Sequence, residues 1–361
     1  MQDSTAKVPE LPLSIFRELC DLASEYHQLA PWNYLSDSDM LAIEDPGTQK
    51  LRLVSVLGNR GEVFGLLVHR GERGLRWAFT LAFDQDSEDF QDPSFTFARD
   101  GLVVEFVPRK RLEKHDLGQF KQIGFKPLRD SENRQVWPLF HSIRPGIYPA
   151  PLTTEEAKML LADLRKTLNF IRLGEKDPRI LRKEHAVVAF YPSDPKFTGP
   201  LLAKDIEWRE LTLGPEIWPE SLKLSRKEIK ELKALPMDEN FSLELDCLYS
   251  PGMVAGDPLP YLPWLALAVD GRTGGILDIL LTDSRTEPAE TEAARCLLRT
   301  IRKVGLRPRE VGVRTNAMAF GISAICEALG IMFFKVSALP MKEMAYGALK
   351  RQWNEVEEGL R

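Results

Sequence analysis

The sequence predicts an α+β N-terminal domain followed by an α/β C-terminal domain. The chain has 361 residues, and domains of about 100–200 residues would divide that length into two. Residues 1–175 mix helical apolar periods with short strand-like runs, whereas residues 236–361 alternate strands with helices. With 43% hydrophobic and 28% charged residues, the composition is that of a globular protein and excludes a disordered, collagen-like or disulfide-stapled chain.

The first element is a helix that ends before Pro31, because apolar residues recur there at steps of three and four. These residues are Phe16, Leu19, Cys20, Ala23, Tyr26 and Leu29. Apolar runs bounded by turn residues then predict several strands. They are Met40–Glu44, Leu51–Leu57 and Glu62–His69, with turns at Asp45-Pro46-Gly47 and Gly58-Asn59-Arg60-Gly61, and a hairpin that joins Ser94–Ala98 to Leu102–Val107 through Asp100-Gly101.

Two helices complete the predicted first domain, residues 1–175. One covers Lys110–Ile123. The other begins at the capping box formed by Thr153 and Glu156, and Gly174 is expected to end it. Pro and Gly interrupt most of the segment that follows, which predicts a connecting module over residues 176–235.

The connecting module contains a strand over His185–Tyr191 and a short helix capped by Ser225 and Glu228. The C-terminal domain, residues 236–361, has clearer signals. Its predicted elements are strands Phe241–Leu248, Trp264–Asp270 and Gly275–Thr282, helix Ala289–Val304, strand Glu310–Arg314, helix Ala317–Leu329, strand Met332–Val336 and a helix after Pro340. This order predicts a ribonuclease H-like α/β fold.

Two stretches resemble families without a known activity. Residues 10–175 resemble an uncharacterised bacterial domain family through Pro31-Trp32-Asn33-Tyr34-Leu35, Ile43-Glu44-Asp45-Pro46 and Trp137-Pro138-Leu139-Phe140. Residues 236–361 are similar to a second domain of unknown function through Pro263-Trp264, Val269-Asp270, Arg307-Pro308 and Ala328-Leu329-Gly330-Ile331. More distantly, this second stretch resembles a retroviral-integrase or transposase core, which implies a ribonuclease H-like fold.

Such cores use three carboxylates to hold two divalent cations. The resemblance places Asp246 at the first-strand carboxylate and Glu343 at the last one. The middle Asp is expected after strand Glu310–Arg314, where this chain has Thr315 and Asn316. An Asn can coordinate a cation through its carbonyl oxygen, but it brings no negative charge.

We therefore predict a degenerate site in which Asp246, Asn316 and Glu343 are vestigial, with no catalytic residue, metal ligand or cofactor.

Other catalytic patterns are missing from the sequence. The histidines are isolated, and we expect surface or capping roles for them. They are His27, His69, His115, His141 and His185. Gly58, Gly61 and Gly65 lie between two strands rather than before a helix, so a hairpin turn explains them better than a nucleotide-binding loop.

No apolar run approaches the ~20 residues that cross a bilayer, and the N-terminus lacks the apolar segment of a signal peptide. Four scattered cysteines without C-x-x-C spacing are typical of small buried hydrophobes. We therefore expect a cytoplasmic protein with no membrane partner.

Five aromatic residues could line a ligand pocket, although such residues more commonly form a core. They are Trp32, Tyr34, Trp77, Phe79 and Phe83. The acidic stretch Asp84–Asp92 is expected to be a solvated loop.

One charge pattern suggests a phosphate-bearing partner. Arg295, Arg299 and Arg302 recur at helical spacing with Lys303, and Arg307, Arg309 and Arg314 follow. A solvated helix face is the simpler interpretation, because residues 238–361 contain 14 Lys+Arg against 17 Asp+Glu. The formal net charge of the whole chain is -5, which argues against a globally basic nucleic-acid binder.

Three functions remain open at this point. The leading hypothesis is a non-catalytic protein that binds a protein or small molecule. The first alternative is a divalent-metal-dependent nuclease or strand-transferase, with Mg as cofactor and a third carboxylate from Asp270 or Glu244. The second alternative is a weak nucleic-acid-binding module without chemistry, which would use Arg295, Arg299 and Arg302.

Overall fold

The computed structural model describes most of the chain, and the described residues fall into two compact units. The described ranges are 10–44, 50–59, 61–83, 95–181, 187–191, 206–210, 221–256 and 259–359. Unit 1 takes the described residues up to position 210 except 95–97 and 146–148. Unit 2 takes those two short segments and the described residues from position 221 onward.

Unit 1 contains four described helices and a mixed sheet. The helices are α1 (Leu13–Leu29), α2 (Gly71–Phe83), α3 (Lys114–Ile123) and α4 (Thr154–Lys176). The strands are β1 (Leu41–Glu44), β2 (Leu51–Leu57), β3 (Gly65–His69), β4 (Gly101–Val107), β5 (Leu128–Arg129), β6 (Gln135–Arg144), β7 (Ile147–Pro151, of which 149–151 belong to unit 1), β8 (Val187–Tyr191) and β9 (Glu207–Glu210). Their order is β5-β6-β4-β3-β2-β1-β8-β9, and β7 pairs with β6.

The sheet of unit 1 separates two apolar layers. Successive strand residues point to opposite faces, so Val54 packs with Leu19 of α1 and Leu160 of α4, whereas Leu53 packs with Ala78 of α2. The long helix α4 begins as predicted, with the hydroxyl of Thr153 accepting a hydrogen bond from the backbone N–H of Glu156. The hairpin between β2 and β3 is also confirmed, since these strands pair antiparallel across the glycine-containing turn.

Two predictions in this half of the chain are wrong. Ser94–Ala98 is not the first strand of a hairpin, because Phe95–Phe97 forms a 3-10 helix and β4 pairs with β3 and β6 instead. Gly174 does not end α4, which continues to Lys176. Gly174, inside the helix, instead allows close packing, since a Cβ at this position would lie 2.2 Å from Cγ of Leu181.

The predicted connecting module, 176–235, contributes elements to both units. Its strand β8 pairs parallel with β1, and β9 extends the same sheet. Its capped helix α5 (Arg226–Lys233) places Leu232 in the core of unit 2. The predicted turn at 45–47 and the predicted acidic loop at 84–92 lie outside the described residues.

Unit 2 has every element that the sequence predicts for it. The strands are β10 (Met237–Tyr249), β11 (Trp264–Asp270), β12 (Ile276–Thr282), β13 (Arg307–Val313) and β14 (Met332–Lys335), and the helices after β12 are α6 (Ala289–Val304), α7 (Asn316–Leu329) and α8 (Pro340–Gly359). The strand order is β12-β11-β10-β13-β14. Strand β11 pairs antiparallel with both β10 and β12, and β13 runs parallel to both β10 and β14.

Helices cover both faces of this sheet. Alternation along β10 sends Leu245 into the core with α6 and α7, and it sends Asp246 to the opposite face. On that opposite face Leu267 and Val269 of β11 pack against Ala345 of α8. The sheet therefore brings the polar residues of β10 under the first turn of α8.

Candidate functional site

The candidate site is a group of charged side chains between the sheet of unit 2 and α8. Glu244 and Asp246 lie two residues apart on β10 and share one face of the sheet. Lys342 and Glu343 belong to the first turn of α8. We call these four residues, together with Arg314, the charged cluster.

Lys342 lies at the centre of the charged cluster. Its Nζ is 2.7 Å from Oδ2 of Asp246, and it donates a hydrogen bond of 2.7 Å to Oε1 of Glu343. The side chains of Lys342 and Asp246 are each only 2% exposed, whereas that of Glu343 is 49% exposed. The structure therefore brings the predicted carboxylates of Asp246 and Glu343 together, and a lysine ammonium separates them.

A second cation faces the same aspartate. Because Glu244 pairs with Gly312 in the parallel register of β10 and β13, Arg314 reaches the level of Asp246 two residues later. Its Nη2 lies 3.7 Å from Oδ2 of Asp246, and its side chain is 10% exposed. The remaining oxygen of Asp246, Oδ1, accepts a hydrogen bond of 2.9 Å from the backbone N–H of Cys247.

Glu244 positions α8 over the cluster. Its Oε2 accepts a hydrogen bond of 2.7 Å from the backbone N–H of Lys342, one of the helix N–H groups that lack an intrahelical acceptor. Burial raises the pKa of Glu244 above its ordinary value, although the backbone N–H groups of Lys342 and Met341 act in the opposite direction. A strand carboxylate therefore stabilises the N-terminus of a helix distant in sequence.

The charge state of Lys342 follows from its neighbours. Burial by itself lowers the pKa of a lysine, but the carboxylates of Asp246 and Glu343 outweigh that effect and raise the pKa of Lys342. The lysine is therefore protonated near neutral pH and cannot act as a general base or nucleophile there. Its positive charge neutralises the buried carboxylate of Asp246.

The donor set does not fit a two-metal centre. Such a centre needs several carboxylates directed at shared cation positions, but here Asp246 and Glu343 both contact the ammonium of Lys342. A divalent cation at that point would be repelled by Lys342 and by Arg314. Among the residues that the structure describes, no group of three or more His, Cys, Asp or Glu is arranged to hold a metal ion.

Asn316, the third vestigial candidate, is the exposed first residue of α7. It makes no hydrogen bond to Asp246 or Glu343. The hydroxyl of Thr315 accepts a hydrogen bond of 3.2 Å from the backbone N–H of Met318, so that residue caps the helix. Asp270 is likewise used locally, since its Oδ1 accepts hydrogen bonds from the backbone N–H groups of the turn residues Arg272 and Thr273.

The three arginines proposed as phosphate contacts lie along α6, and each faces a carboxylate. Arg295 contacts Glu292 and Glu287, with Nη2 3.2 Å from Oε1 of Glu287. Arg299 contacts Asp278 through Nε at 3.1 Å. Arg302 contacts Glu228 of α5 at 3.1 Å. A phosphate group would have to compete with these carboxylates for every one of the three guanidinium groups.

Two further sets of reactive side chains are buried. Oγ of Ser55 lies 3.0 Å from Nε2 of His69, but these residues are 2% and 1% exposed, so a substrate cannot reach this pair. Burial and the nearby charge of Arg99 lower the pKa of His69 to about 3. The expectation of a surface or capping role is therefore wrong for His69, which is a neutral core residue.

The prediction of buried cysteines is confirmed. Cys20, Cys247, Cys296 and Cys326 are all buried and free. Burial raises the pKa of Cys296 and of Cys326 to about 12. These thiols are therefore neutral near pH 7 and are not nucleophiles.

The sequence pattern did not predict Lys342 at this site, and it placed Arg314 in the basic pattern that follows α6 rather than beside Asp246. The resemblance implies carboxylates at the site and carries no expectation about the cations beside them. A signal was available, because Lys342 directly precedes Glu343 and Arg314 directly precedes Thr315. Lys342 is thus adjacent to a predicted carboxylate, and Arg314 lies two positions before the predicted Asn316.

Two family models match the chain, over two separate stretches. Residues 16–191 match a domain of unknown function (DUF7309), and residues 228–350 match a second domain of unknown function (DUF6930). No curated protein and no solved structure matches the chain. The chain thus contains two domains, each of which matches a family whose function is unknown. Among the described residues no helix is both long enough and apolar enough to cross a membrane.

Proposed function

We propose that this chain is a binding protein whose second unit is a ribonuclease H-like scaffold without metal-dependent chemistry. Two features support the fold assignment: the strand order β12-β11-β10-β13-β14, with three antiparallel strands followed by two parallel ones, and the helices that follow β12 and β13. One fold hosts many functions, so the assignment of function depends on the charged cluster.

The observation that carries the proposal is the position of Lys342 Nζ, 2.7 Å from the carboxylates of both Asp246 and Glu343. In a nuclease of this fold a divalent cation would be expected between the corresponding carboxylates. Here the ammonium group of Lys342 contacts both carboxylates, and together with Arg314 beside Asp246 it balances their negative charge. The chain then acts by binding a protein or small molecule, and the charged cluster serves to attach α8 to the sheet.

The alternative, a metal-dependent nuclease or strand-transferase, is favoured by one observation. Asp246 and Glu343 contact a common atom, so their carboxylates converge as such a centre requires. In this alternative Mg²⁺ would have to displace Lys342, and Glu244 would have to release the backbone N–H of Lys342 in order to supply the third carboxylate.

Cleavage and metal binding together separate the two functions. The purified full chain is incubated with single-stranded DNA, duplex DNA and an RNA–DNA hybrid in Mg²⁺ or Mn²⁺, beside Asp246→Asn and Glu343→Gln. We expect no cleavage that differs between the wild type and the variants, and no stoichiometric Mn²⁺ binding by electron paramagnetic resonance. Metal-dependent cleavage that is lost in both variants, each shown to be folded by circular dichroism, would overturn the proposal.

A further inference from the structure

Unit 1 contains an open cleft that the charged cluster does not involve. The cleft has a volume of about 890 Å³, which lies within the range of sites for small organic ligands. It is lined by the end of α1, the 3-10 turn Pro31–Asn33, the turn between β2 and β3, the end of β4 and the turn between β5 and β6. All of its lining residues belong to unit 1.

Aromatic rings form one side of this cleft. The ring centroids of Trp32 and Phe64 are 5.3 Å apart, those of Trp32 and Phe106 are 5.8 Å apart, and those of His27 and Phe106 are 4.7 Å apart. Trp32, Phe64 and His27 are only half-buried, so part of each ring faces the cleft. Burial lowers the pKa of His27, so its ring is mainly neutral at pH 7. Such rings offer a stacking surface to a planar ligand.

A glycine lets the turn between β2 and β3 approach these rings. Gly58 has φ +135°, and a Cβ there would lie 2.8 Å from Cβ of Trp32 and 2.7 Å from Cδ1 of Phe64. Gly61 follows in the same turn and lines the cleft. The glycine pattern is therefore a hairpin turn, as predicted, and it also shapes this cleft.

Cationic side chains also line the cleft: Lys110 in the segment after β4, Arg129 in β5 and Arg134 in the turn between β5 and β6. Arg134 is already held by Asp130 at 2.7 Å and by Glu132 at 2.9 Å. Lys110 and Arg129 differ, because neither forms an ion pair within the described part of the chain; Arg129 donates one hydrogen bond, to the backbone oxygen of Asn133. Two cations of the lining are thus available to an anionic ligand.

We infer that this cleft binds a small molecule of mononucleotide size that carries a planar ring and a phosphate group. The ring stacks against Trp32 and its aromatic neighbours, and the phosphate oxygens pair with Lys110 and Arg129, whose N–H groups are suited to phosphate. This inference goes beyond the proposed function. The cleft residues belong to unit 1 and Lys342 belongs to unit 2, so a failed ligand titration leaves the nuclease test unaffected.

Isothermal titration calorimetry of the full chain tests the inference. The probes are AMP, GMP, CMP and UMP, with adenosine as a ring without phosphate and inorganic phosphate as an anion without a ring. We expect saturable one-site binding of at least one mononucleotide. Adenosine and inorganic phosphate should each bind at least about tenfold more weakly, since each lacks one of the two interactions.

Charge variants locate the binding. Lys110→Gln with Arg129→Gln should weaken mononucleotide binding at least about tenfold. The matched control is Lys114→Gln with Lys121→Gln, which removes the same charge from exposed positions of α3 outside the cleft and should leave affinity unchanged. Absence of binding by all four mononucleotides at millimolar concentration, equal affinity for adenosine and AMP, or equal loss in both double variants would overturn the inference. Tighter binding of a single-stranded oligonucleotide than of every mononucleotide would also overturn it, because the occupant would then be a nucleic acid.

Discussion

Nζ of Lys342 lies 2.7 Å from Oδ2 of Asp246, and both side chains are almost completely buried. Removing two charges from water is costly, and the mutual attraction offsets that cost only while both partners are present. The pair joins the first turn of α8 to the central strand of unit 2. Denaturation of variants at these two positions measures the contribution of the ion pair to stability, independently of any cleavage activity.

The first prediction concerns this ion pair. Lys342→Met leaves the carboxylate of Asp246 buried, and Arg314 at 3.7 Å is then the one cation that faces it among the described residues. We expect the free energy of unfolding to fall by about 3–5 kcal/mol, the usual cost of breaking a buried pair. Urea denaturation measures the loss. The double variant with Asp246→Asn should recover part of it, because the uncompensated charge is then gone.

An exposed lysine supplies the control for this prediction. Lys158 pairs with Glu155 at 2.9 Å, but the two side chains are 56% and 82% exposed. Exposed ion pairs contribute little, so Lys158→Met should leave stability nearly unchanged. Equal effects of the substitutions at positions 342 and 158 would contradict a structural role for Lys342.

The second prediction concerns the pH dependence of unit 1. Burial by itself raises the pKa of Glu156, but several hydrogen bonds to its carboxylate outweigh burial and lower the pKa from 4.5 to about 2. The donors are the backbone N–H of Thr153 and the side chains of Arg70, Ser142 and Arg144. Because the folded pKa is lower than the unfolded one, this group stabilises the fold above about pH 4.5 and loses that contribution as the pH falls toward 2.

Glu156→Gln should therefore reduce the free energy of unfolding at pH 7. The free energy of unfolding of this variant should also fall less between pH 7 and pH 3 than that of the wild type. Denaturant titrations at the two pH values measure both effects. Glu155→Gln is the matched control, because the neighbouring side chain is 82% exposed and pairs only with Lys158 among described residues. A decline of the same size in the Glu156 variant and in the wild type would show that another group causes it.

Unit 2 was predictable because each of its elements carries a local signal. The alternation of β10, the amphipathic period of α6 and the capping Thr315 all depend on near neighbours in the sequence. The association of Asp246 with Lys342 was not predictable in this way. It depends on how α8 packs against the sheet, which involves residues far apart in the chain.

Unit 1 shows where local signals fail. Helix α2 contains Gly71 and Gly74, and glycine lowers helix propensity. Gly74 is required by packing, since a Cβ there would lie 2.3 Å from the backbone oxygen of Asp100. Strand β6 contains Pro138, which argues against a strand interior when the sequence is considered alone. In both elements tertiary contacts override the local preference.

The third prediction compares two glycines of unit 1. Gly58→Ala introduces a side chain at φ +135° and within 2.8 Å of Trp32 and Phe64. We expect a loss of about 1–3 kcal/mol in the free energy of unfolding, together with weaker mononucleotide binding at the cleft. Gly118→Ala lies inside helix α3 with no atom within 4 Å of the new Cβ, and it should stabilise by about 0.5–1 kcal/mol. Thermal or urea denaturation distinguishes the two signs, and stabilisation by Gly58→Ala would contradict the packing described for this turn.

The fourth prediction concerns the arginines of α6. Arg299 pairs with Asp278, whose side chain is only 4% exposed, whereas Arg302 pairs with Glu228, whose side chain is 39% exposed. Arg299→Gln leaves the buried carboxylate of Asp278 with Lys303, at 3.4 Å, as its one cationic partner in the described part of the chain, so it should reduce stability by about 1–2 kcal/mol. Arg302→Gln should leave the free energy of unfolding unchanged within error, because water can solvate the exposed carboxylate of Glu228.

Heparin chromatography at low salt then distinguishes structural arginines from phosphate-binding ones. If the guanidinium groups serve mainly their carboxylate partners, Arg302→Gln should elute close to the wild type, and so should Arg295→Gln. A contact with phosphate predicts earlier elution for both variants, with a difference that shrinks as salt rises, since such contacts depend on counterion release. Arg302 is the more informative position, because its substitution leaves the fold intact and any change in retention then reports on the surface of α6 itself.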